Sequence, residues 1–337
     1  MQRILILTKF RFIGDTLLAV PVFRAARAQW PQAHITLLTG RSARVLLQNN
    51  PYLDKIIEFD PRGRNRGLRE FLRLVAMLRR EHFDLCLVLN RSFHSALIPA
   101  LAGVPVRAGF RSEGRTGLLN RRVEYDSAKS EIDCYCDVLR AVAPHAVTSP
   151  MLELWLTETE RRDAAARLRE AWGQDISLAL LVGIQPGASL PEKRWDAARF
   201  AGVADALARD DPQTRFVLIG GPDERDAAEA MLAALAPETR ARTADFAGRA
   251  DLRGSLALVS HLGLFIGNDT AILHAANALG VPTVALFGPT NPRKWGAQGA
   301  GHRILEAEGG ALDSISVRAV TEAVQALRAE NAEVAAP

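Results

Sequence analysis

Phe265-Ile266-Gly267-Asn268-Asp269-Thr270-Ala271-Ile272-Leu273-His274 is an apolar run that breaks at Gly-Asn-Asp-Thr and resumes at once with helical spacing. Ile272, Leu273, Ala275, Ala276 and Leu279 fall on one helical face, and Asp269 or Thr270 can cap that helix. The first N–H groups of such a helix face outward and favour an anion. A second apolar run, Pro282 to Phe287, then ends in Gly288-Pro289-Thr290-Asn291-Pro292. Two neighbouring strand ends and a helix N-terminus thus converge, which is where α/β sheets bind ligands. The pattern predicts a phosphate-bearing ligand.

The same strand–helix alternation runs outward in both directions. In the first half, strands are predicted at Ile4–Thr8, His34–Thr39, Lys55–Phe59, Leu85–Leu89 and Val104–Phe110. Helices are predicted at Thr16–Gln29, Ser42–Gln48, Leu68–Glu81, Ser92–Leu101 and Glu131–Val142. In the second half, strands fit Leu178–Ile184, Phe216–Ile219, Thr243–Phe246, Leu264–Ile266 and Thr283–Phe287. Between them lie helical patterns at Asp196–Ala208, Glu224–Leu235, Leu252–Val259, Thr270–Leu279 and Val317–Leu327. Such alternation implies α/β architecture with parallel sheets. The expected organisation is two Rossmann-like domains facing each other across a cleft, residues 1–150 and 176–330. Residues 151–175 connect them, and Asn331–Pro337 is a frayed tail.

Length and composition set the outer bounds. The 337 residues suffice for two domains, and 48% apolar with 24% charged residues is ordinary for a globular chain. No apolar run approaches the roughly 18 residues that span a bilayer. The N-terminus enters a strand directly, without a secretory apolar region, which points to the cytoplasm. Cys86, Cys134 and Cys136 are odd in number and lack Cys-x-x-Cys spacing, against a disulfide framework or zinc site. Residues 1–175 carry 27 Lys and Arg against 19 Asp and Glu, net +8; residues 176–337 carry 15 against 19, net −4. The basic half either meets an anionic partner or is a solvated arginine-rich surface.

Neither half has Gly-x-Gly-x-x-Gly after its first strand, so a dinucleotide turn and a P-loop are both disfavoured. Asp15, after Gly14 at the end of the first strand, can be a helix cap, a general base, or both. The loop Gln185-Pro186-Gly187-Ala188-Ser189 combines small residues with a hydroxyl, and Lys193-Arg194-Trp195 follows. A lysine there suits an anionic leaving group such as a diphosphate, unless it is merely surface charge. Gly220-Gly221-Pro222-Asp223-Glu224 ends the next strand; either acid can bind ribose hydroxyls or cap the helix. His274 lies one turn beyond Thr270 and can face the same cleft or sit in the core. Arg107, Arg111, Arg115, Arg121 and Arg122 surround a polar loop without interleaved aromatics. That pattern suits phosphates or carboxylates on a carbohydrate or lipid rather than a nucleic-acid stacking platform. No residues have metal-ligand spacing, so no metal and no cofactor is expected.

Taken together, Ile13-Gly14-Asp15-Thr16, Pro186-Gly187-Ala188 with Lys193-Arg194-Trp195, Ile219-Gly220-Gly221-Pro222 with Asp223-Glu224, and Asn268-Asp269-Thr270 with His274 and Phe287-Gly288-Pro289-Thr290-Asn291-Pro292 resemble one family. It is glycosyltransferase family 9, which contains the ADP-heptose:lipopolysaccharide heptosyltransferases. The resemblance runs from about residue 3 to about residue 325, and its last segment is the most specific. It implies a GT-B fold, with the acceptor bound by the N-terminal half and the nucleotide sugar by the C-terminal half. It also implies an inverting, metal-independent transfer of heptose from ADP-heptose to an inner-core lipopolysaccharide or related glycan. Residue by residue, Asp15 matches the catalytic base and Lys193 the lysine on the diphosphate and ribose side. Ser189 falls where a hydroxyl contacts phosphate, and Asp269 matches the acid that binds sugar hydroxyls. Thr270, the Ala271 N–H and the following helix would hold the diphosphate, with His274 lining the pocket. Where the family commonly has Gly, often followed by Pro, this chain has Ala271-Ile272. The alanine methyl narrows the approach of a phosphate but leaves the N–H available. A lipid-linked anionic acceptor implies peripheral contact with the cytoplasmic face of the inner membrane. The alternatives are a GT-B enzyme using another nucleotide sugar, a nucleotide-sugar epimerase, or a non-catalytic sugar-phosphate binding module.

Overall fold

The computed structural model describes residues 1–112, 114–173, 177, 180–297 and 301–335, divided between two compact units, Met1–Glu153 and Leu154–Pro337. In the first unit, strands β1 (Arg3–Leu7), β2 (His34–Thr39), β3 (Lys55–Glu58), β4 (Leu85–Val88), β5 (Val106–Phe110) and β6 (Arg121–Val123) form one sheet. Its order is β3-β2-β1-β4-β5-β6, and every pairing is parallel. In the second unit, β7 (Leu181–Gln185), β8 (Arg215–Leu218), β9 (Thr243–Asp245), β10 (Leu264–Asn268), β11 (Thr283–Phe287) and β12 (His302–Glu306) form the other. Its order β12-β11-β10-β7-β8-β9 is again wholly parallel. Counted from each unit's own first strand, both sheets run 3-2-1-4-5-6, the Rossmann order. The switch points fall between β1 and β4 and between β7 and β10.

The central strands are buried because helices cover both faces of a parallel sheet. Ile4, Leu5, Ile6 and Leu7 are fully buried, as are Val182, Ile184, Phe265 and Ile266. Edge strands are different. β6 and β12 were not anticipated: Arg121-Arg122-Val123 is mostly exposed and His302–Glu306 only half-buried, so neither carries an apolar run. The predicted helix Thr16–Gln29 is two helices, Ile13–Leu17 and Val20–Gln29. Pro21 lacks an N–H, and its ring would meet the carbonyl four residues back, so the helix restarts. The C-terminal helix runs Val317–Ala335, through most of the segment read as a tail. The strand predicted from Leu178 begins at Leu181, and Leu178, Ala179 and the loop residue Glu113 lie outside the described residues.

The stretch 151–175, expected as a connection, contains the helix Glu158–Trp172 of the second unit. Thr157 and Glu160 close a capping box at its start. Arg253, from the helix Leu252–Val259, donates to Glu160 from Nε at 2.6 Å and from Nη2 at 2.7 Å. These bonds, foremost that from Arg253, hold the Glu160 carboxyl at about 2 against an ordinary 4.5. Because the folded value is depressed, this stabilisation is complete above the unfolded value and is lost as pH falls through the folded one. A gap of that size is worth at most about 3 kcal/mol. Glu160→Gln should therefore lower urea-unfolding stability at pH 7 and converge with the parent chain near the folded pKa of about 2. An equal difference at both pH values would refute this assignment.

Candidate active site

In the second unit the switch point lies between the carboxyl ends of β7 and β10. Asn268, fully buried at the end of β10, stitches these ends together. Its Oδ1 accepts from Trp195 N at 3.0 Å, and its Nδ2 donates to Pro186 O at 3.1 Å and Gly187 O at 3.2 Å. One side chain thereby fixes both the small-residue loop and the Lys193-Arg194-Trp195 turn against β10. Asp269 is next, with its side chain 7% exposed. Its Oδ2 accepts from Lys193 Nζ at 2.7 Å and from Thr290 Oγ1 at 2.8 Å, and its Oδ1 lies 3.7 Å from His274 Nε2. A buried carboxylate requires such partners, since an unpaired one would be strongly penalised.

Thr270 caps the helix Ala271–Ala278 by accepting from Leu273 N at 3.3 Å. This decides between the two capping candidates: Asp269 is directed instead to Lys193 and Thr290. Thr270 Oγ1 also donates to Gln185 Oε1 at 2.6 Å. Gln185 Nε2 donates in turn to Glu224, at 2.9 Å to Oε2 and 3.1 Å to Oε1. Gly221 N adds a bond to Glu224 Oε2 at 2.8 Å. Glu224 therefore faces the β7 loop, while Asp223 is exposed to solvent. The loop glycine is sterically required, because a Cβ on Gly187 would stand 2.6 Å from Glu224 Cβ. Ser189 is exposed at the end of that loop. Lys193, Asp269, Thr270, Ala271, His274 and Glu224 thus gather around one sheet edge and one helix N-terminus. Such an edge binds an anion through a lysine and backbone N–H groups, and orients hydroxyls through its carboxylates.

In the first unit, Asp15 lies in the first turn of Ile13–Leu17, past the carboxyl end of β1. The cap position belongs to Phe12, which makes no side-chain cap bond, so Asp15 is not an N-cap. Its carboxylate accepts a hydrogen bond from Lys9 Nζ, and its side chain is 13% exposed. Beneath it, Thr16, Thr8 and Thr39 are linked hydroxyl to hydroxyl. The buried Tyr135 phenol is pushed well above its ordinary value, chiefly by burial, with the charges of Glu131 and Asp15 adding to it. Beside this turn a cavity of about 630 Å³ opens at the carboxyl ends of β1, β3 and β4, lined among others by Lys9, Phe10, Asp60, Arg62, Asn90 and His94. Sequence reasoning missed it. Its residues come from loops far apart in the chain, and only the strand order unites them.

The arginines read from sequence as anion contacts divide into two kinds. Arg107 donates to Leu118 O at 2.7 Å and Val104 O at 2.5 Å. Arg115 is fully buried, donating to Phe110 O, Asn90 O and Ser92 O. Arg107, half-buried on β5, ties that strand to the loop after it, whereas the burial of Arg115 inside the loop turns it away from any ligand. Arg111 pairs with Glu124 at 3.0 Å on the surface, and Arg121 is exposed on β6. Among the described residues no cluster of three His, Cys, Asp or Glu side chains could hold a metal ion.

The sequence profile of glycosyltransferase family 9 (heptosyltransferase) matches residues 71–318. Lipopolysaccharide heptosyltransferase 2 of Salmonella typhimurium is 32% identical over 290 residues, 83% of this chain and 81% of that protein. Its Escherichia coli counterpart is 30% identical over 83% of this chain and 81% of its own length. The solved structure of E. coli ADP-heptose lps heptosyltransferase II superposes with a TM-score of 0.81 at 27% identity, covering 98% of this chain and 99% of that one.

Proposed function

The chain belongs to glycosyltransferase family 9, the heptosyltransferases, and from that premise we propose that it moves heptose from ADP-heptose to an inner-core lipopolysaccharide or related glycan. That it is a glycosyltransferase follows from the family. The observation that carries the finer reading is the Lys193–Asp269–Thr290 cluster beside the helix N-terminus at Ala271. The donor is taken from the similar E. coli structure, whose protein is an ADP-heptose enzyme.

In this reading Asp15 accepts the proton of the acceptor hydroxyl as its oxygen attacks the anomeric carbon. The bond from that carbon to the diphosphate oxygen breaks on the opposite face, ADP leaves, and the configuration inverts. Lys193 and the N–H groups at Thr270 and Ala271 meet the charge that develops on the diphosphate. The reaction so supplied with positive charge is read as metal-independent. Ser189 contacts phosphate, Asp269 holds sugar hydroxyls and His274 lines the pocket. The ribose contact is assigned to Glu224 rather than Asp223, because Glu224 is the acid turned toward Gly187 and Gln185. Residues 1–150 take the anionic acceptor, with Arg111, Arg121 and Arg122 the arginines of that group exposed to meet it, and residues 176–330 take the donor. The enzyme is placed in the cytoplasm, in peripheral contact with the inner membrane.

Thermal unfolding with nucleoside diphosphates tests the donor assignment. ADP at about 100 times its Kd should stabilise the chain by about 2.7 kcal/mol, and UDP at the same concentration should shift Tm far less. A UDP-selective shift would overturn it.

A further inference from the structure

We propose that the helix Leu68–Arg80 and the loop before it form a docking surface for an anionic lipid bilayer. The helix is apolar on two sides. Leu74, Val75 and Leu78 face the core, as an amphipathic helix requires. Leu68, Leu72 and Ala76, spaced i, i+4 and i+8, form a second line that points to solvent. Leu68 is 72% exposed and Leu72 52%, far more than their size favours in water. Phe12, 59% exposed, extends the apolar area: it lines the same cavity as Gly67, the residue before Leu68.

Charge selects the occupant. Residues 62–80 contain seven arginines (Arg62, Arg64, Arg66, Arg69, Arg73, Arg79 and Arg80) and one acid, Glu70. All seven are exposed. Arg64 pairs with Glu58 and Arg73 with Glu70, but among the described residues no ion pair holds Arg62, Arg66, Arg69 or Arg80. Exposed leucines ringed by uncompensated arginines suit an interface that is apolar below and anionic at its headgroups. Among the described residues no helix is long and apolar enough to cross a membrane, so this contact lies on the surface. The surface itself is independent of the catalytic assignment. Its use, holding the enzyme where the cavity beside Asp15 meets a lipid-borne acceptor, rests on that reading.

Co-sedimentation of the full chain with vesicles, without donor or acceptor, tests the proposal. Vesicles with about one-third phosphatidylglycerol should capture the chain, and phosphatidylcholine vesicles should not. Leu68→Glu/Leu72→Glu and, separately, Arg69→Gln/Arg80→Gln should each weaken capture by at least about tenfold, and salt should weaken it further. Transfer to a soluble, lipid-free acceptor should be unchanged in both variants, which also shows that they fold. Equal capture by neutral vesicles, no capture, or variants that bind as the parent does would overturn it. So would a dimer, seen by sedimentation, that the leucine changes dissolve, because the surface would then bind a second copy.

Discussion

Asp15→Asn is expected to lower transfer at least about 100-fold while leaving ADP affinity within about a factor of two. The substitution keeps the shape of the side chain and removes its capacity to take a proton. Asp15 lies in the first unit and the proposed diphosphate contacts in the second, so donor binding is expected to be insensitive to the change. The measurement is initial rate under saturating donor, beside calorimetric titration of ADP. Because Phe12 rather than Asp15 is the cap residue, helix stability should barely change, and circular dichroism melting checks this. Transfer within about threefold of the parent would remove Asp15 from the mechanism.

Lys193→Ala has a second large effect, with two separable parts. Removing the cation proposed to face the departing diphosphate should lower kcat by roughly 100- to 1000-fold. It also leaves the nearly buried Asp269 carboxylate with Thr290 but no lysine. Breaking such a pair from one side costs about 3 kcal/mol, visible as a lowered Tm. Adding Asp269→Asn removes the stranded charge, so the double variant should regain stability. It should not regain activity. A Lys193→Ala enzyme that turns over normally, or a double variant that recovers kcat, would refute the role assigned to the lysine.

Local chemistry made much of this chain legible. Apolar runs such as Ile4–Leu7 and Phe265–Ile266 announce central strands because burial on both faces removes the need for polar alternation. The edge strands β6 and β12 escaped for the converse reason, being short, polar and half in water. The helix Glu158–Trp172 escaped because only Ala164 and Leu168 of its residues are buried, which gives a weak stripe. Its signal was nonetheless present in Thr157 and Glu160, spaced as a capping box. Arg115 looked like a ligand contact because a basic loop residue usually meets solvent. Its burial follows from carbonyls at Asn90 and Ser92, distant in sequence.

By itself the sequence determined the alternation of strands and helices, the two-domain scale and the helix N-terminus after Asn268, and the family resemblance singled out Asp15 and Lys193 as candidates. These are encoded within a few residues, by burial periodicity, capping chemistry and motif. Tertiary structure alone decided which groups meet. Lys193 reaches Asp269 across 76 residues, and Gln185 reaches Glu224 across 39. The order of parallel strands sets those encounters, and no local pattern specifies that order. The same holds for the cavity beside Asp15, assembled from the ends of β1, β3 and β4. It holds also for which acid turns toward the β7 loop, Glu224 rather than Asp223, set by one hydrogen-bonded glutamine beneath that loop.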